Sequence, residues 1–131
     1  MAHRTRVAFV DDSPEIRELA VQIFANNGID IFTAERETVD LADIAAWKPD
    51  VIVIDPQGRQ DAHRPPFEVA RSVSSVAGLS DVPLVLLTSQ WALWQHEMEV
   101  QALLPAAVLT KPFGVKEFLG AVRRAARRQA G

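Results

Sequence analysis

The chain has no cysteine, which removes disulfides, thiolate nucleophiles and zinc–thiolate centres from consideration. It also has no apolar run near the roughly 20 residues that a bilayer-spanning helix requires. The opening residues Met1-Ala2-His3-Arg4-Thr5-Arg6 lack the apolar core of a secretory leader. A soluble cytoplasmic protein with no membrane association is therefore expected. Charge of one sign is lacking too: 14 basic and 17 acidic residues leave a net charge of −3, so no general affinity for nucleic acid is expected. Arg123, Arg124, Arg127 and Arg128 do gather near the C-terminus, where a solvated helix end suits cations. The three histidines, His3, His63 and His96, show no metal-ligand spacing and are expected at the surface.

What is present suits one domain with a proper core, spanning residues 1–131 with its body at about 5–128. Of the 131 residues, 48% are hydrophobic and 24% charged, an ordinary balance for a folded domain of this size. The most informative stretch is Asp50-Val51-Ile52-Val53-Ile54-Asp55. Four β-branched apolar residues in a row predict a strand buried on both faces, as in the middle of a parallel sheet. It ends in an aspartate and then a turn, Pro56-Gln57-Gly58.

The remaining segments repeat that theme. Arg6–Val10 is a short apolar strand ending in Asp11-Asp12, and Ser13-Pro14 opens a helix with an N-cap serine and a first-turn proline. Ile16, Leu19, Ala20, Ile23 and Phe24 form its core-facing stripe, and Asn26-Asn27-Gly28 closes it. A second strand is expected over Ile29–Ala34 and a helix over Thr38–Trp47. An irregular connector covers 56–66, followed by a helix from Phe67 that ends near Gly78. Val82–Leu87 is another buried strand, ending in Thr88-Ser89. A fourth helix is expected from Trp91 to Leu104, then a strand over Ala106–Thr110 that ends at Lys111-Pro112, then a last helix through Val115, Phe118, Leu119 and Val122. Five βα units predict an α/β fold, a doubly wound five-stranded parallel sheet of flavodoxin-like topology with helices on both faces.

In such a sheet the C-terminal strand ends lie along one edge, so Asp11, Asp12, Asp55, Thr88 and Lys111 converge. Three carboxylates in proximity repel and call for a cation. An all-oxygen donor set suits Mg²⁺. A carboxylate nucleophile, a hard metal, an ammonium and a hydroxyl together describe phosphoryl transfer by positioning and charge neutralisation.

These segments resemble the receiver domain of bacterial two-component response regulators: Val-Asp-Asp-Ser-Pro at 10–14, Pro-Asp-Val-Ile-Val-Ile-Asp at 49–55, Val-Pro-Leu-Val-Leu-Leu-Thr-Ser at 82–89 and Leu-Thr-Lys-Pro-Phe at 109–113. The resemblance spans essentially the whole chain. It implies that Asp55 accepts a phosphoryl group from a histidine kinase or phosphotransfer protein. It further implies Mg²⁺ held by Asp12, Asp55 and the backbone carbonyl of Gln57, with Asp11 acting through water. Lys111 would pair with the phosphoryl oxygens, Thr88 would hydrogen-bond them, and the peptide before Pro112 would be cis. The implied role is a signalling switch, not an enzyme beyond its own phosphoryl transfer and dephosphorylation, that alters protein contacts.

Two departures stand out. The segment after Asp55 lacks the family's methionine-proline pair and is longer, and Val108 stands where the family usually has a switch-reporting aromatic. The altered loop supports one rival, a receiver that signals by binding without phosphorylation. An aspartate-nucleophile phosphatase would carry a second acid two residues after Asp55, where Gln57 stands, and a flavin module would not place two aspartates after its first strand. The stripe Trp91, Trp94 and Met98 suggests a docking face for a downstream protein or a second copy of the chain.

Overall fold

The structure, a computed structural model, describes residues 3–58 and 63–130, with side chains described through residue 127. Five strands form one sheet in the order β2-β1-β3-β4-β5, and every neighbouring pair is parallel. The strands are β1 (Arg6–Val10), β2 (Asp30–Ala34), β3 (Val51–Ile54), β4 (Leu84–Ser89) and β5 (Ala107–Lys111). The helices are α1 (Pro14–Ala25), α2 (Leu41–Trp47), α3 (Glu68–Val73), α4 (Gln90–Gln95), α5 (Glu97–Ala102) and α6 (Val115–Ala130). This is the doubly wound α/β sheet expected from the sequence.

Two apolar clusters explain the architecture. Val7, Phe9, Val51, Val53, Val85 and Leu87 point to one face and pack against Ala20, Ile23 and Phe24 of α1 and Phe118, Leu119 and Val122 of α6. Their strand neighbours Ala8, Val10, Ile52, Ile54, Leu84 and Leu86 point to the other face, against Ile44 of α2, Val69, Ala70 and Val73 of α3, and Val100 of α5. Side chains alternate across a strand, so a strand apolar at every position needs a layer of helices on each side. Val51–Ile54 is wholly buried, as a central strand should be.

Side-chain caps set the starts of the first two helices. Ser13 accepts the Ile16 N–H at α1, and Asp40 accepts the Ala42 N–H at α2. That cap moves the start of α2 from the expected Thr38 to Leu41, because Thr38 and Val39 are tied to Glu35 in a turn. The third helix ends at Val73, short of Gly78, and the segment to Leu79 continues as turns. The fourth helix also differs from expectation. It divides at His96, whose backbone (φ −125°, ψ 33°) leaves the helical range. The break has no proline or glycine behind it; the His96 ring instead packs on Phe67 with centroids 5.1 Å apart. β4 and β5 run one or two residues further than expected, pairing Thr88 with Thr110 and Ser89 with Lys111. Both polar residues therefore sit on the paired ends of strands.

Candidate functional site

Register places the site. Val10 lies beside Ile54, and the next residues, Asp11 and Asp55, leave adjacent strand ends together. The backbone continues the pairing for one more step, because the Asp55 N–H donates to the Val10 carbonyl at 3.0 Å and the Asp11 N–H to the Ala34 carbonyl at 3.1 Å. Lys111 comes from the edge strand β5 and reaches across β4 and β3. Its Nζ donates to Asp11 Oδ2 at 2.7 Å and to Asp55 Oδ2 at 3.1 Å. The peptide between Lys111 and Pro112 is cis. Asp11, Asp12, Asp55, Gly58 and Lys111 line a cleft of about 290 Å³, together with Ser13, Pro14 and Glu15. Thr88 is buried on the β4 end, and Gln57 is half-buried in the turn after Asp55.

Each carboxylate is held differently. Asp11, 2% exposed, accepts the Ser13 N–H with Oδ1 and the Lys111 ammonium with Oδ2. Burial raises its pKa above the usual carboxylate value, against the lowering effect of Lys111. Burial alone would lower the Lys111 pKa, but Asp55 and Asp11 outweigh it and hold it above the ordinary lysine value. Asp55 has its Oδ1 tethered by the backbone N–H groups of Gln57 (3.1 Å) and Gly58 (3.3 Å). Its Oδ2 is thereby turned toward Lys111. Asp12 accepts the Glu37 N–H with Oδ1 at 3.1 Å, while its buried Oδ2 has no hydrogen-bond partner among the described residues.

That orphaned oxygen bears on the implied metal. A buried carboxylate oxygen without a donor is under-satisfied, and carboxylate oxygens are the donors that a hard cation takes. The residues present therefore fit Mg²⁺ in kind. Among the described residues, no three acids converge as a ready ligand cage. Lys111 stands between Asp11 and Asp55, and Arg36 faces Asp12. The expectation that three carboxylates demand an external cation is thus modified, since two side-chain cations already share the load.

Comparisons with known proteins bear on the fold and on the chain's relatives. No protein-family model matches the sequence. The protein PilG of Pseudomonas aeruginosa is 28% identical over 119 residues, covering 90% of this chain and 84% of PilG. The KDP operon transcriptional regulatory protein KdpE of Escherichia coli is 30% identical over 129 residues, covering 96% of this chain. The chain spans about half of KdpE's length, 53%. Among solved structures, the chemotaxis response regulator CheY4 of Vibrio cholerae superposes with a TM-score of 0.79 at 24% identity, covering 94% of this chain and 99% of CheY4. The chain thus resembles response regulators in sequence and has the fold of their receiver domains.

The chain also holds residues that sequence reasoning passed over. Arg36 is fully buried beside Asp12. Glu37 accepts the backbone N–H groups of His63 and Arg64 with Oε1 and faces Arg36 with Oε2. Arg64 Nη1 returns the contact, donating to the carbonyls of Arg36 and Val39. The only signal in the sequence was position: the turn after β2 opens on the same sheet edge as the acids. The unusual connector at 56–66 is described at 56–58 and 63–66, while its residues 59–62 lie outside the described residues.

The other expectations divide. His3 is exposed and bonded to Asp50 Oδ2 at 2.7 Å, and His63 is exposed, but His96 is half-buried against Phe67. Arg123, Arg124 and Arg127 are exposed on α6, and the Arg128 side chain lies outside the described residues. Trp91, Trp94 and Met98 stay exposed, at 65%, 70% and 82%. No described helix is long and apolar enough to cross a membrane.

Proposed function

We propose that this receiver is a phosphorylation-controlled cytoplasmic switch in which Asp55 takes a phosphoryl group from a histidine kinase or phosphotransfer protein. The observation that carries the reading is the asymmetry of Asp55: one oxygen tied down by two backbone N–H groups, the other facing the cleft beside an ammonium. In the transfer, Asp55 Oδ2 bonds to phosphorus, the phosphorus–nitrogen bond of the donor phosphohistidine breaks, and the imidazole leaves with the electron pair. Lys111 is already 3.1 Å from that oxygen, so it is placed to pair with the arriving phosphoryl oxygens. Thr88, at the neighbouring strand end, would hydrogen-bond them. Asp12, Asp55 and the Gln57 carbonyl would hold Mg²⁺, with Asp11 contributing through water. Bound there, the ion supplies positive charge against the phosphoryl oxygens, the main need of such a transfer.

Val108, half-buried in β5, replaces the usual aromatic reporter, so any change of contacts on phosphorylation would leave through other groups. The exposed Trp91, Trp94 and Met98 face is the proposed outlet, to a downstream protein or a second copy. The rival, a receiver that signals without phosphorylation, draws support from the two side-chain cations that already partly neutralise the acids. One experiment separates the two readings. A small acyl-phosphate donor with Mg²⁺ should add one phosphoryl group by intact-mass spectrometry, and Asp55→Asn should abolish the adduct. A wild-type chain that gains no adduct would sink the phospho-acceptor reading.

A further inference from the structure

Arg36 has the largest fully buried side chain among the described residues, and nothing in the phosphoryl-transfer reading uses it. It sits in the turn after β2. Nη1 donates to the Pro65 carbonyl at 3.1 Å and Nη2 to the Arg64 carbonyl at 3.0 Å, with Glu37 Oε2 3.4 Å from Nη2. The remaining nitrogen, Nε, has no hydrogen-bond partner among the described residues. It faces Asp12 Oδ2 at 3.6 Å, the oxygen that is likewise orphaned. Two buried, unsatisfied, oppositely charged atoms are thus left opposite each other, slightly beyond hydrogen-bond reach.

Gly58 makes the arrangement possible. A Cβ at this position would overlap the Arg36 guanidinium, and the backbone there has φ +73°, a conformation that favours glycine. The same residue's N–H tethers Asp55 Oδ1. Gly58 therefore touches the acceptor aspartate with its backbone and houses Arg36 with its missing side chain.

We propose that Arg36 is a resident counter-cation of Asp12 that competes with the divalent ion for that carboxylate. The inference rests on the metal-assisted reading of the cleft. An arginine does not discharge within a protein, so an ion reaching Asp12 Oδ2 meets a fixed positive charge a few ångströms away. The guanidinium then has to withdraw, and it already has a second anion, Glu37, and two carbonyls to withdraw toward. Those carbonyls belong to Arg64 and Pro65, so filling the cleft would displace the 63–65 segment. Mg²⁺ affinity is accordingly held down in the wild-type chain, and metal occupancy is coupled to the loop after the acceptor.

The test is direct measurement of Mg²⁺ binding by titration calorimetry on the wild-type chain and on Arg36→Gln. The variant should bind at least about tenfold more tightly, a small part of the repulsion expected between a unit charge and a divalent ion a few ångströms apart. Equal or weaker binding by a folded Arg36→Gln chain overturns the inference and leaves the phospho-acceptor reading standing. Since removal of a buried arginine can cost the fold, the wild-type chain supplies a second readout. Its Arg36 Nε–H resonance should shift during a Mg²⁺ titration in step with the Gly58 amide. An Arg36 signal that stays still while Gly58 saturates also overturns the inference. If neither protein binds Mg²⁺, this inference and the metal part of the reading fail together, which the acyl-phosphate experiment reports separately.

Discussion

Lys111→Met removes the ammonium from between two carboxylates while keeping most of the aliphatic stem. Breaking a buried ion pair from one side costs about 3–5 kcal/mol, because the partner charge is left stranded. Here the Lys111 side chain is 24% exposed and Asp55 18%, whereas Asp11 is 2% exposed. Partial access to water brings the figure down to about 2–3 kcal/mol at neutral pH without metal. For 131 residues the unfolding entropy is about 0.28 kcal/mol/K, so the melting temperature should fall by roughly 7–11 °C. The assay is thermal unfolding by circular dichroism with a chelator present. Added Mg²⁺ should recover part of the loss through its preference for the folded state.

The pH dependence adds a signature. Burial raises the Asp11 pKa above its ordinary 3.8, so the folded chain holds that proton more firmly than the unfolded chain does. Asp11 therefore subtracts stability as pH rises through the window above 3.8. Lys111 behaves oppositely: its raised pKa gives a contribution that is complete below the ordinary 10.5 and lost as pH rises through the folded value. In Lys111→Met the lowering influence on Asp11 is gone, so the deficit against wild type should widen from mild acid toward neutral pH. A melting temperature at neutral pH within about 2 °C of wild type, or a deficit independent of pH, would refute the claim that Lys111 neutralises this cleft.

Phe118 is fully buried and packs on Phe113, Phe24 and Phe9 with centroids 4.8, 5.2 and 6.1 Å away. Phe118→Ala should cost about 3–5 kcal/mol in urea unfolding, and a loss below about 1 kcal/mol would contradict the packing described. Trp94→Ala should change stability by no more than about 0.5 kcal/mol, as for an exposed side chain. If the tryptophan face is the outlet, the same change should weaken self-association seen by size-exclusion chromatography with light scattering when the phosphoryl mimic beryllofluoride is bound; an unaltered beryllofluoride-induced dimer would remove Trp94 from the interface.

Much of the sheet edge was legible because each site residue abuts an apolar run. Val7–Val10, Val51–Ile54 and Leu84–Leu87 announce buried strands by composition alone, and Asp11, Asp55 and Thr88 follow them directly. Parallel topology then places those residues along one sheet edge without any knowledge of contacts. The split at His96 was not legible, because Trp91 to Leu104 contains no helix breaker and the interruption coincides with packing on Phe67, 29 positions away in the chain. Arg36 was invisible for a related reason. One arginine in a turn has no periodicity, and its burial is made by carbonyls of residues 64 and 65 and by the absent side chain of Gly58.

The charges of the cleft sort into two modules once Arg36 is included. Lys111 serves Asp11 and Asp55, and Arg36 serves Asp12 and Glu37. Each cation has two acids, so each module keeps a negative excess for an incoming ion to answer. The modules differ in what they can give up. Lys111 is bound to side chains alone and is free to follow a phosphoryl group at Asp55. Arg36 is bound to the backbone of residues 64 and 65, and Glu37 holds the N–H groups of residues 63 and 64. On this reading a change of partner at Asp12 would not remain a side-chain event: it would pull on residues 63–65, which lie between Asp55 and α3. That makes the loop after Asp55 the place where occupancy of the cleft would first become a change of backbone.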